Sequence, residues 1–298
     1  MLQSHFGEFA ALLTAMFWTV TALAFESAGK KVGSLSVNLI RLLIGFVLIS
    51  IYTLITRGLF LPIDATGSTW LWLLISGIIG FVLGDLFLFQ AYVEVGSRIA
   101  MLVMATSPPI TAIISYIVFG ERLSKISIIG MAITIIGIAI VVFKKDSDEN
   151  KVEFAHPAKG LAFAFLGSLG QACGVILSKV GMGNYNPFAA TQIRIIAGIF
   201  GFTILITVMK KWGNLSIAFK DAYALKRISL GAIFGPFLGV SFSLLAIQHT
   251  TAGVAATITS ITPVLIIPPA IRILKEKVTS REIVGSLITI VGVGVLFL

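Results

Sequence analysis

Ten apolar windows of about twenty residues, each long enough to cross a bilayer as a helix, follow one another along the chain. They fall at roughly 6–27, 35–56, 70–92, 98–119, 125–143, 159–180, 187–209, 228–248, 253–274 and 279–298. The most polar connection, KKDSDENKVEFAHPAK from Lys144 to Lys159, divides the windows five and five. This pattern predicts an all-α integral membrane fold of ten transmembrane helices, with a first unit at 1–143, a polar linker at 144–158 and a second unit at 159–298. The first window follows His5 and Glu8 rather than a positive segment. It therefore reads as a retained span, not a cleaved leader, with the mature chain starting near Met1.

The two units carry one pattern written twice. Adding 155 to Gly80, Gly84, Pro108, Glu121, Gly130 and Gly137 lands on Gly235, Gly239, Pro263, Glu276, Gly285 and Gly292. Adding 153 to Arg41, in NLIRLLIG, lands on Arg194, in TQIRIIAG. A five-span unit repeated in tandem enters the membrane in opposite directions, so the prediction is two inverted five-helix repeats, the build of many secondary transporters.

Composition agrees with a bilayer-embedded chain: 57% of residues are apolar and 12% charged, with a mean hydropathy of +1.02. The net charge of +9 suits loops at an anionic membrane surface. No basic run interleaved with aromatics points to nucleic acid. Sixteen Lys and Arg lie in connections 1–2, 3–4, 5–6, 7–8 and 9–10, against four on the opposite side, a count that puts both termini outward. The single cysteine, Cys173, sits in an apolar window and excludes an intrachain disulfide or a cysteine metal cluster.

These residues resemble the EamA family of the drug/metabolite transporter superfamily, whose ten-span members are duplicated five-helix units moving small metabolites. The resemblance covers nearly the whole chain. GERLS (Gly120 to Ser124) before Gly130 and Gly137, and KEKVTS (Lys275 to Ser280) before Gly285 and Gly292, look like the family's Glu-x-Leu-Thr turn and Gly-spaced fifth helix, with Val278 departing from the usual Leu. Arg41 and Arg194 match its second-helix arginine, and Lys179 its lysine ending the first helix; Glu26 replaces that lysine in the first unit. The resemblance implies cytoplasmic termini, opposite to the charge count. It also implies cargo among amino acids, nucleosides, sugars and other metabolites.

The candidate site residues come from polarity and breaks inside the windows. Pro108, Pro109 and Pro263 fall near the middle of the fourth and ninth windows, next to Ser107 and Thr262. A mid-helix proline frees a carbonyl, which membrane protein tolerates where protein or a water-lined cavity receives it. The alternatives are a packing kink and a central cavity bordered by both breaks. Asp85 is the one carboxylate deep in an apolar window. Such a group marks a proton or substrate path, or else a structural hydrogen bond to a neighbouring helix. Gln90 lies on a different face of the same window. Trp18 and Gln171 are equivalent positions mid-window, placed either to line a cavity or to pack. Glu26 and Arg41 are expected toward one surface and able to pair, with Lys179 and Arg194 toward the other as charge or gating groups. Against functional roles stand interfacial snorkelling for Lys179 and helix tethering for the arginines. Gly80-x-x-x-Gly84 and Gly235-x-x-x-Gly239 read as close helix packing.

The expected function is a secondary transporter of small polar metabolites such as amino acids. Export by alternating access is the leading direction, with an importer or an uncoupled facilitator as the alternative. No catalytic residue, metal or cofactor is expected: the three histidines are scattered, and no HExxH, GxSxG or GxxxxGK[ST] occurs, so an intramembrane enzyme is disfavoured. Proton coupling through Asp85 is the one coupling expected. The partners are a small-molecule substrate and the lipid bilayer, with no nucleic acid. The chain is expected as a monomer or homodimer, multi-pass in a prokaryotic plasma membrane.

Overall fold

The computed structural model describes residues 5–119, 124–145, 152–250, 255, 258–275 and 278–296. Helix α1 (Phe6–Val32) meets α2 (Ser34–Arg57) across Gly33. Next, α3 (Gly67–Gly77) runs through a π segment, Ile78–Gly84, into α4 (Asp85–Met104). The first half ends with α5 (Ser107–Phe119) and α6 (Lys125–Val142). A short antiparallel hairpin, β1 (Phe143–Lys145) with β2 (Val152–Phe154), lies before α7 (Ala158–Met182) and α8 (Pro187–Val208). After the short α9 (Trp212–Lys220), α10 (Ala222–Ala232) passes through a second π segment, Ile233–Gly239, into α11 (Val240–His249). The short apolar α12 (Thr262–Leu274) and then α13 (Ser280–Leu296) complete the described chain.

Seven helical runs among the described residues are long and apolar enough to cross a membrane, and α5 and α12 are shorter apolar helices. One of the seven, Gly67–Met104, has 38 residues and would be about 57 Å long if straight, nearly twice the hydrocarbon thickness. Gly96 divides it: at φ 81° and ψ 157° it adopts a conformation that only glycine takes without strain. The third and fourth apolar windows therefore meet at a break rather than at a loop.

The two π segments fall at matching places, since 78 + 155 is 233 and 84 + 155 is 239. The first carries Gly80 and Gly84, which lie backbone to backbone on Gly174 and Gly170 of α7. A Cβ added at Gly170 would come within 2.6 Å of the Gly84 Cα, and one at Gly174 within 2.9 Å of the Gly80 Cα. Without side chains the helices approach closely enough for extensive van der Waals contact, which replaces the missing hydrophobic drive inside a membrane. The second π segment packs on α1, where a Cβ at Gly235 would meet Thr21. Helices α6 and α13 make a similar seam around Gly137, Gly285 and Gly292.

These packings interlock the halves. Helices α3 and α4 lie on α7, α10 and α11 lie on α1, α2 lies on α8, and α6 lies on α13. Each pairing joins the chain before the hairpin to the chain after it.

The prolines differ from their expected place. Ala105 and Thr106 form a turn, and Pro108 and Pro109 then sit in the first turn of α5. Ser260 and Ile261 form the matching turn, and Pro263 opens α12. They are starts of new helices rather than interior kinks, because a first-turn N–H has no intrahelical acceptor to lose. Glu121, Glu276, residues 146–151 of the linker and residues 251–254 of the ninth window lie outside the described residues.

Candidate functional site

Between the two breaks lies a cavity of about 190 Å³. Ser107, Pro108 and Thr111 border it from α5, and Thr262 and Pro263 from α12. Thr111 is one helical turn beyond Ser107, so both face the same way. Trp18 from α1 and Gln171 from α7 close it from repeat-equivalent places, and Ser243 from α11 adds a hydroxyl. Leu88, Met101, Met104 and Val175 supply apolar wall. The sequence reading had Trp18, Gln171, Ser107, Thr262, Pro108 and Pro263, all of which border this space; Pro109 is buried beside it and does not line it. It missed Thr111, Ser243 and Thr259, whose only signal was a hydroxyl at helical spacing from a break.

Behind Gln171 stands a buried charge cluster. Asp85, 3% exposed, forms an ion pair with the Nη2 of Arg41. Gln171 Nε2 donates to its other oxygen at 2.6 Å and to the carbonyl of Gly80 at 3.3 Å. Arg41 is oriented from its own helix: its Nε donates to Asn38 Oδ1 at 3.0 Å, and Asn38 Nδ2 in turn donates to the Asp85 carbonyl at 3.3 Å. The guanidinium lies 4.5 Å from the ring centre of Phe89, a favourable position for a cation against a π face. Asp85 is therefore not a wall of the cavity but the anchor of one of its walls.

Arg194 enters the same cluster from the other half. Its guanidinium stacks 4.6 Å from the centre of Phe81, whose ring is also 5.7 Å from Arg41. The two repeat-equivalent arginines converge on one ring instead of standing at opposite surfaces, because α2 and α8 pack against each other. Asp85 stands close enough to Arg194 for their charges to interact, yet its ion pair is with Arg41. The Nε of Arg194 is buried without a hydrogen-bond partner.

The expected Glu26–Arg41 pair is absent. Glu26, fully buried, accepts from the Ser97 N–H at 2.7 Å and pairs with Lys30 one turn along α1. The reason is the Gly96 break: Ser97 starts a new helical stretch whose first N–H groups lack intrahelical acceptors, and a carboxylate satisfies one with a charge-assisted bond. Gln90 is also drawn away from the cavity, accepting from Ser34 at 2.8 Å and donating to Glu94 at 3.1 Å. Lys179 is exposed at the end of α7. No cluster of metal-ligating residues occurs among the described residues.

A multi-pass helical membrane protein with a largely apolar, hydroxyl-dotted cavity between two broken helices is the class these features define. The EamA-like transporter family matches residues 5–143 and again 158–298, and the chain belongs to that family. The double match falls on the two units separated by the hairpin. An uncharacterized transporter of Clostridium kluyveri is 23% identical over 291 residues, covering 96% of this chain and 91% of that protein. Another from Archaeoglobus fulgidus is 22% identical over 282 residues, covering 93% and 96%. A crystal structure with 16% identity superposes at a TM-score of 0.64 over 97% of this chain and 95% of its own, so the fold is shared.

Proposed function

We propose that the protein is a secondary transporter that exports a small polar metabolite by alternating access. Two inverted five-helix units, 1–143 and 159–298, would rock around the cavity between α5 and α12. The observation that carries this reading is the placement of repeat-equivalent residues around one space: both helix breaks, with Trp18 and Gln171 between them. Broken helices in matching positions of the two halves are where carriers of this build bind cargo. The seven long apolar helices, the two shorter ones and α13 support the ten-span count when the Gly67–Met104 run is divided at Gly96 and joined to α5.

Proton coupling, if the gradient is used, enters at Asp85, since a proton there would release Arg41 and loosen Gln171. The chain works without a cofactor, as a monomer or homodimer in a prokaryotic plasma membrane. Counterflow tests the reading. Proteoliposomes preloaded with an unlabelled metabolite mixture should concentrate a labelled cargo transiently, and Gln171→Ala should abolish this while leaving the protein folded. An equal, steady leak with no transient concentration would mark a channel and end the carrier reading.

A further inference from the structure

The connection between α8 and α10 gathers charge of one sign. From Val208 to Gly231 the sequence carries Lys210, Lys211, Lys220, Lys226 and Arg227 against a single carboxylate, Asp221. That carboxylate is already engaged, since Lys31 from the end of α1 pairs with it at 2.7 Å. Among the described residues no carboxylate pairs with the other five cations, and the four lysines are exposed. The repeat-equivalent connection differs. Arg57 corresponds to Lys210 at an offset of 153, and the N-cap Thr66 to the N-cap Asp221 at 155. Between Arg57 and Thr66 there is no helix and no lysine, and Arg57 pairs with Asp64.

The second half instead inserts α9, whose sides differ in polarity. Lys210, at φ 54°, takes the left-handed position that closes α8, with the Lys211 N–H donating to the Ile206 carbonyl at 2.9 Å. Beyond this turn α9 buries Leu215 and Ala218, three residues apart on one face, and lies on α1, α2 and α10. Trp212 and Phe219, seven residues apart and so on one side of the helix, are 46% and 48% exposed. Val208 and Met209 at the end of α8 are exposed apolar residues too. Exposed rings with lysines beside them form the pattern of a helix lying in the lipid interface.

The cations have a focus. The Lys31 ammonium and the Arg227 guanidinium lie 5.1 and 5.3 Å from the centre of the same ring, that of the exposed Tyr223. Asp221 balances only one of them. We propose that this corner binds an anionic phospholipid, with the headgroup phosphate on Lys31 and Arg227 and the acyl chains on the exposed apolar surface of α8 and α9. A free phosphate would meet the cations alone, whereas the adjoining apolar surface suits a ligand with chains. Because α9 belongs to the second half and lies on α1 and α2 of the first, a lipid held there ties the halves together at one membrane face only.

Protein in a neutral detergent, titrated with dioleoylphosphatidylglycerol or dioleoylphosphatidylcholine and followed by native mass spectrometry, tests this. Phosphatidylglycerol should bind the tighter, and Arg227→Gln should lower its affinity about fivefold, the ratio that about 1 kcal/mol from one surface cation gives. Arg227→Lys keeps the charge and should keep the affinity. Lys125→Gln, which removes an exposed cation where α6 begins at the opposite face, should change nothing. The melting temperature should rise with phosphatidylglycerol and not with inorganic phosphate. Equal affinity for the two lipids, or an equal loss in Arg227→Gln and Lys125→Gln, overturns the site. Loss in Arg227→Lys as large as in Arg227→Gln marks a packing effect and overturns the headgroup contact. A rise in melting temperature as large with inorganic phosphate assigns the cations to a free anion and overturns the lipid.

Discussion

Arg41 and Arg194 hold the same place in the two halves and meet different fates. Arg41 has a carboxylate, an asparagine and three aromatic rings around it. Arg194 is equally buried, yet has one aromatic face and an unpartnered Nε. The source of the difference is a set of unmatched positions: Asp85 and Phe89 correspond, 155 residues on, to Val240 and Leu244, and Asn38 and Phe25 correspond, 153 residues on, to Thr191 and Ser178. One carboxylate thus serves two arginines, and the matched one is held firmly. The repeat sets the scaffold, and the unmatched positions set which half is braced.

The largest test of this contrast is Asp85→Asn. It strips the anion from two buried guanidinium groups and is expected to destabilise the protein by about 3–5 kcal/mol, the usual cost of leaving a buried charge without its partner. Thermal unfolding in detergent, or loss of membrane yield, reads the effect; an unchanged melt would mean that the cluster carries no stability.

Next in size is the difference between the arginines themselves. Arg41→Gln breaks the same pair and should cost at least about 2 kcal/mol more than Arg194→Gln, which gives up a cation–π contact while removing a poorly matched charge. Equal losses for the two substitutions would show the braced half to be no different from the other.

The seams between the halves predict a smaller asymmetry. Gly170→Ala sets its Cβ against backbone, and parting the helices should cost about 1–3 kcal/mol. Gly235→Ala meets the methyl of Thr21 at 2.9 Å, a side chain able to turn aside, and should cost less. Melting curves of the two single variants give the comparison directly.

The smallest effect lies at the surface, where Lys31 and the backbone N–H of Ala224 hold the Asp221 carboxyl below its usual range. A depressed carboxyl contributes stability that is present above its unfolded pKa of about 3.9 and is lost as pH falls through its lower folded value. Acidification from pH 7 to 5 should therefore leave this contribution untouched. Below the ordinary carboxylate range, wild type should lose stability relative to Asp221→Asn, as followed by melting temperature against pH.

Much of the cavity was legible from residue types. Prolines beside hydroxyls at matching offsets, and a tryptophan and a glutamine at equivalent mid-window places, all reached the space between α5 and α12. The charge cluster was less legible. Asp85 stood out as a buried carboxylate, but its partner Arg41 is 44 residues away, and nearness in sequence favoured Glu26 instead. Glu26 was diverted by the backbone break at Gly96, a dihedral feature that an isolated glycine in an apolar run does not announce. Likewise, Pro108 and Pro263 signalled interruption without revealing that each begins a helix.

The sequence by itself determined that this chain lives in a membrane, that its units repeat, and that their polar exceptions are few, because hydropathy, periodicity and offset are properties of the string. The tertiary structure alone decided that two arginines from separate halves share one phenyl ring, that Asp85 braces Gln171 from behind, and that the cavity wall carries no charge among its described residues. Those facts depend on helices distant in sequence packing at glycine seams close enough for one side chain to choose between partners, and only the folded arrangement makes that choice.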